Sequence, residues 1–308
     1  MASPLTGARA TNSARAPVQA IAVRERRFAA ALLAPAFLGL IATTTFPLMF
    51  LIYTSGLRMD LAMPFADGFV GLENYRELLR DSNFWAALIV SLVYTATTVV
   101  LQVAIGLALA LLVMDMRRGQ GLFRIIAILP VVLSPAVVGM VWRTFMLAPE
   151  FGIVDYLAIT AGLGSQNWLG DPTLALVSVV VIHTWQWTPF AFMVLLASLA
   201  ALPEDVYEAA RIDRANAWQR FVRITLPLIR PAIVMVIIMR TMIALTAFAA
   251  IFTVTGGGPG TATEILNLYA YRKAFTELSI GYGSTLSVAL LILTILISGL
   301  LFALRRAR

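Results

Sequence analysis

Six long apolar runs, at about residues 28–53, 84–114, 125–146, 174–201, 231–253 and 284–304, alternate with shorter polar segments along this chain. Each is longer than the ~18 residues that a helix needs to cross the hydrocarbon core of a bilayer. The runs are continuous rather than alternating, and in lipid every backbone group must be satisfied inside its own segment, so they are read as transmembrane helices. The expected fold is an all-α integral membrane protein with six spans. Composition agrees: 60% of residues are hydrophobic and 13% charged, against roughly 45–50% and 25% in soluble domains.

One polar segment stands apart from the other connections. Residues 202–230, between the fourth and fifth runs, are charged and yet patterned as helix. Pro203 suits a first helical position, and Glu204 and Asp205 follow it at the positive end of the helix dipole. Val206, Ala209 and Ala210 then offer a face of small side chains. Asn216 can cap a second helix in which Trp218, Phe221, Val222 and Thr225 recur at helical spacing. Arg211, Arg214, Arg220 and Arg223 are left for water, a partner or headgroups. Taken on its physics, the segment is either a docking element or an amphipathic loop lying at the membrane surface.

The distribution of charge orients the chain. With the N-terminus on the cytoplasmic side, sixteen Lys and Arg residues fall in the inner segments and five in the outer ones (Arg58, Arg76, Arg80, Arg272 and Lys273). Such a bias places both termini and the 202–230 loop in the cytoplasm. The sequence pI near 10.2 is therefore a topology signal and not a nucleic-acid footprint. Residues 1–27, rich in Ala, Arg and Ser, read as a cytoplasmic tail. The run that follows is too long for the core of a cleaved signal, and five more runs come after it.

The spacing Glu208-Ala209-Ala210 … Ile224-Thr225-Leu226-Pro227 resembles the coupling loop of the membrane subunits of binding-protein-dependent ATP-binding-cassette (ABC) importers. Asp213 and Phe221 fit the carbohydrate-transport branch. So do Gly71-Leu72-Glu73-Asn74-Tyr75, Leu129-Pro130 and Thr255-Gly256-Gly257-Gly258-Pro259, with Thr263 and Tyr271 beyond. The resemblance runs from about residue 28 to the end. It implies a type I importer permease in the bacterial inner membrane, with no cofactor of its own. The implied partners are a dimeric cytoplasmic ABC ATPase, a second homologous permease, a periplasmic or lipid-anchored solute-binding protein and the lipid bilayer. Glu208, Ala209, Ala210, Asp213 and Arg214 would form the ATPase-coupling site. One position departs: Arg214 stands where the family has Gly. Either Arg214 adopts a left-handed conformation, at a cost on the order of 1 kcal/mol, or the helix break moves to Asn216.

Other chemistry is thinly represented. The chain has one lysine, Lys273, flanked by Arg272 and Ala274, so it lacks the Gly-Lys-Ser/Thr of a phosphate-binding loop. Any ATP hydrolysis must come from another polypeptide. A membrane serine hydrolase built on Ser284 and the sole histidine, His183, is a distant alternative, because Tyr282 and Thr285 occupy the positions where that motif has glycines. With no cysteine and a single histidine, a metal centre has no ligand set.

Ionisable groups at bilayer depth are costly and are functional candidates by default. Arg240 lies nine residues past Pro231, about 13 Å along a helix, and His183 reaches similar depth from the opposite side. No span interior contains Asp or Glu, so Arg240 must meet water, backbone carbonyls, the solute or another subunit. A purely structural role for it is equally open. Pro189 bends the fourth span near the midplane, beside Trp185, Gln186 and Thr188. His183, Trp185, Gln186 and Arg240 are the expected solute path. A sugar is the expected solute, with a polyol or glycerol phosphate as the alternative.

Overall fold

The computed structural model describes residues 15–63, 65, 68–116 and 118–306, with side chains described from Phe28 to Ala303. Residues 1–14 of the expected tail lie outside the described residues, as do Arg117 and Arg308 of the charge count. From Arg15 onward the tail is not separate from the first span: both belong to one helix, α1 (Arg15–Ser55). The chain divides into two compact units, residues 1–53 and 54–308. The first is the body of α1.

The second unit opens with a two-stranded antiparallel hairpin, β1 (Leu57–Arg58) and β2 (Gly68–Phe69), with Leu57 opposite Phe69. A short helix, α2 (Glu73–Arg80), leads into the second span, α3 (Ser82–Asp115). Next come α4 (Gln120–Val132), α5 (Pro135–Val141), the short helix α6 (Ile153–Thr160) and the fourth span, α7 (Pro172–Ala200). The polar loop supplies α8 (Glu204–Ile212) and α9 (Ala217–Arg220), followed by α10 (Leu226–Leu245), α11 (Ala249–Val254), α12 (Leu266–Tyr271) and α13 (Ile280–Arg306). Among the described residues five helices are long and apolar enough to cross a membrane, or six if one bent pair is counted as a span. The six-span expectation holds in that form.

Two spans differ from their expected bounds. The third is broken: α4 ends at Val132, Leu133 and Ser134 are extended, and α5 restarts at Pro135 with a bend of 95°. Pro at a first helical position after Ser is a start signal, and here it interrupts an otherwise unbroken apolar run. The fifth span, expected at 231–253, instead runs over Ala217–Leu245. It begins inside the polar loop, because α9 passes through a π turn (Phe221–Thr225) directly into α10. It stops at Leu245, where Asn267 donates its side-chain amide to the carbonyls of Thr246 (3.0 Å) and Ala247 (3.3 Å). These carbonyls lie in the break between α10 and α11, outside either helix.

The centre of the second unit is the crossing of α3 and α7. Gly106 lets them meet: a Cβ there would lie 2.9 Å from the Cβ of Ala191 and from the amide nitrogen of Phe192. Ala110, Val113, Phe192, Leu195, Leu199, Ile229 and Val236 close the core on the loop side of this crossing. Tyr94, Val138, Val179, Ile182, Ala244 and Ile251 fill it toward the other side.

The connections at the end opposite the polar loop are fixed by two carboxylates. Asp155 on α6 is fully buried and accepts from the Glu150 amide (2.7 Å), the Ser165 hydroxyl (2.6 Å), the Gln166 amide (2.8 Å) and the Trp168 indole (2.8 Å). These donors, the Gln166 amide foremost, hold its carboxyl down at about 2. Asp81 caps α3 through the Asn83 amide and accepts from the hydroxyls of Tyr269 (2.5 Å) and Tyr282 (2.6 Å). One carboxylate thereby joins the start of α3 to α12 and α13.

Candidate coupling loop and intramembrane polar site

The polar loop folds as two helices joined by a tight turn. α8 starts after Pro203 with Glu204 and Asp205 in its first turn and ends at Asp213. Arg214 then takes φ +54°, so the chain keeps the left-handed turn and tolerates a side chain there. The turn closes with the Ala215 amide on the Ala210 carbonyl at 3.0 Å. Asn216 and Gln219 form a reciprocal capping box, 3.0 Å and 2.8 Å, at the start of α9. Both features expected at this turn are therefore present: the left-handed residue and the Asn216 cap.

α8 presents two faces. Tyr207 is half-buried and Ala210 buried, and the Tyr207 hydroxyl lies 2.8 Å from the hydroxyl of Thr225 in the π turn. Outward stand Glu208, Ala209, Arg211, Ile212, Asp213 and Arg214, all exposed. Among the described residues Glu208 has no ion-pair partner within the chain. Ile212 and Trp218 are 82% and 70% exposed, an apolar pair set in a charged surface.

Within the fifth span, which α9 opens, α10 buries Arg240 completely. Its Nε donates to Oε1 of Gln102 on α3 at 2.7 Å, and its Nη2 lies 3.2 Å from Nε2 of His183 on α7. A guanidinium can only donate, so Nε2 of His183 accepts and the ring proton sits on Nδ1. The guanidinium also lies over the Trp187 ring, 4.7 Å from its centroid, and 6.0 Å from that of Phe190. The Gln102 amide reaches the His183 carbonyl at 3.3 Å, and Tyr94 meets the His183 ring edge-on at 5.3 Å. The cation is thus compensated by neutral acceptors and ring faces, with no carboxylate partner among the described residues. A desolvated cation–π contact is worth about 2 kcal/mol, well short of what an unpaired buried charge costs.

His183 and Arg240 are brought together as the sequence suggests; Trp185 and Gln186 lie elsewhere around α7. Gln186 is buried and donates its amide to the Leu133 carbonyl, 3.0 Å, at the break in the third span. Trp185 faces Trp142 edge-on at 5.6 Å. It also lines an apolar cavity of about 480 Å³ with Leu101, Ile105, Phe123, Pro130 and Pro189. Sequence reasoning missed Gln102 and Tyr94, and gave Trp187 and Phe190 no role. Gln102 did carry a signal, being the one side-chain amide inside the second apolar run. Five buried polar atoms on α3, α7 and α10 lack a hydrogen-bond partner among the described residues: the hydroxyls of Tyr94, Thr95 and Thr184, Oε1 of Gln186 and Nη1 of Arg240.

Residues 102–307 match the family model described as "Binding-protein-dependent transport system inner membrane component". The chain is 35% identical over 227 residues to a trehalose/maltose transport system permease protein of Thermococcus litoralis, covering 74% of this chain and 76% of that one. It is 36% identical over 264 residues to a trehalose transport system permease protein of Mycobacterium tuberculosis, covering 86% and 84%. Among solved structures it superimposes, with a TM-score of 0.81 at 21% identity, on a chain of a bacterial ABC transporter involved in the import of the acidic polysaccharide alginate. That match covers 92% of this chain and 97% of that one.

Proposed function

The chain belongs to the family of binding-protein-dependent transport system inner membrane components, and from that premise we propose that it is the permease subunit of an ATP-driven ABC importer carrying a sugar across the bacterial inner membrane. The observation that carries this reading is the helix Ala217–Leu245, 29 residues long and continuous from the exposed polar loop into the membrane. A push on α9 travels along this helix, through its π turn, to Arg240, about 35 Å away. The partners are a cytoplasmic ABC ATPase dimer, a second homologous permease and a periplasmic or lipid-anchored solute-binding protein. Both termini and the polar loop face the cytoplasm, in keeping with the charge bias.

Glu208, Ala209, Asp213 and Arg214 form the surface on which the ATPase docks, whereas Ala210, expected on the same face, is buried on the inner side of α8 and packs behind it. Closure of the ATPase dimer then tilts the loop and with it the fifth span, switching access to a midplane site from one side of the membrane to the other. The solute path runs beside His183 and Arg240, with Gln186 and Trp185 framing it from the side of the broken third span. Supporting this placement, unpaired polar atoms cost several kcal/mol in a lipid environment unless a polar occupant visits them. The two trehalose-handling relatives favour a sugar. The alternative, a polyol or an anionic solute such as glycerol phosphate, is not favoured by these relatives.

Reconstitution tests the assignment. The purified chain alone should hydrolyse no ATP above a catalytically dead control. Together with its ATPase, second permease and receptor, it should drive ATP-dependent uptake of labelled trehalose or maltose into proteoliposomes. Hydrolysis by the single chain would sink the reading. Uptake of glycerol phosphate in place of the disaccharides would select the anionic alternative.

A further inference from the structure

We propose that the hydrogen bond between Tyr207 and Thr225 is the strut that makes α8 and the fifth span move as one body, so that it sets how much solute is carried per ATP. The proposal rests on the importer reading and adds to it a mechanical part that the coupling surface alone does not supply. α8 is the arm that offers Glu208, Arg211 and Ile212 outward, whereas the span that reaches Arg240 belongs to the other arm, α9 and α10. The covalent link between the two arms is the turn at 213–216, where Arg214 takes φ +54°. An arm joined only through such a turn can swing about it and leave the span at rest.

Two features oppose that swing on the inner face of α8. Ala210 is buried there. Tyr207, one turn before it, reaches across the loop to Thr225, hydroxyl to hydroxyl at 2.8 Å. Among the described residues this is the one side-chain hydrogen bond tying α8 to the rest of the chain. Its far end is well anchored: Thr225 is 6% exposed and closes the π turn from which α10 departs. A half-buried bond between two rigidly held hydroxyls resists separation over a short range, as a strut must. Force on the outer face of α8 therefore enters the fifth span at Thr225, fifteen residues or about 22 Å below Arg240.

The test uses the whole transporter in proteoliposomes and measures ATP hydrolysed per solute molecule taken up. Tyr207→Phe and Thr225→Val each delete one hydroxyl at nearly constant volume. Each should raise that ratio by about two- to tenfold, the range set by one partly buried hydrogen bond, with assembly and hydrolysis rate retained. Thr225→Ser keeps the hydroxyl and should keep the wild-type ratio. The double variant Tyr207→Phe/Thr225→Val should be no worse than either single one, because both break the same bond. A wild-type ratio in Tyr207→Phe overturns the proposal. So does a loss of assembly with the ratio unchanged, which would make the bond a simple brace. Failure of the importer reading is distinguishable: the wild-type complex itself would then show no ATP-dependent uptake.

Discussion

Arg240 carries its charge in the middle of the membrane protein with Gln102, His183 and two ring faces around it, and that makes Gln102 the residue whose loss is easiest to interpret. Gln102→Leu keeps the volume but leaves the Nε donor of a buried cation unpaired. A loss of about 1–3 kcal/mol of stability should follow, read as a lower unfolding temperature in detergent. Gln102→Glu places a carboxylate where the amide oxygen stood and should unfold well above Gln102→Leu. Equal unfolding of the leucine variant and wild type would mean that Arg240 is held by something other than this acceptor. Arg214 supplies a second single-residue test. At φ +54° a β-branched side chain is a genuine outlier, whereas glycine is at ease. Arg214→Ile should therefore destabilise the loop by about 1 kcal/mol or more, and Arg214→Gly should leave uptake intact. Indifference to isoleucine would show that the turn opens freely in the assembled transporter.

At the scale of helices, the structure depends on one close crossing. Gly106 on α3 has the Cβ of Ala191 and the backbone of Phe192 in the space that its own Cβ would fill, so even Gly106→Ala must push α3 and α7 apart. Overpacking of this kind costs about 1–3 kcal/mol, measurable as reduced thermal stability of the purified chain. Gly299→Ala on α13, where nothing lies within 4 Å, serves as the unaffected control. Most of the spans were legible because lipid enforces one rule along the whole run, and the loop was legible because its caps are local: Pro203, Asn216 and Gln219 act within a few residues of themselves. What stayed hidden was decided at a distance. The end of the fifth span at Leu245 depends on Asn267, and the Gln186 amide meets the carbonyl freed at the break of the third span. Ser134-Pro135 is a local signal for that break, set inside a run whose apolar length alone indicates an unbroken span. The polar site followed the same division: His183 and Arg240 stand out in any apolar run, but only packing brings Gln102 between them.

For the molecule as a whole, the question is whether the exposed end of the fifth span and its buried end belong to one machine. Glu208 is the group to ask with, since it is exposed on α8, has no ion-pair partner among the described residues, and lies one helical turn from Arg211 and Ile212 on the outward face. If the ATPase covers this face, Glu208 becomes a desolvated acceptor of charge-assisted hydrogen bonds, and reversing its charge costs several kcal/mol at the interface. If the face merely rests on lipid headgroups, reversal costs almost nothing, because exposed charge pairs are weak. Glu208→Lys should therefore insert into the membrane at the wild-type level and sharply reduce uptake, with hydrolysis no longer stimulated by the loaded receptor. Insertion is insensitive because the substitution adds one more cation on the side that already carries most of them. Wild-type uptake by Glu208→Lys would move the docking surface off α8, and the continuous helix from Ala217 to Leu245 would then need another source of motion.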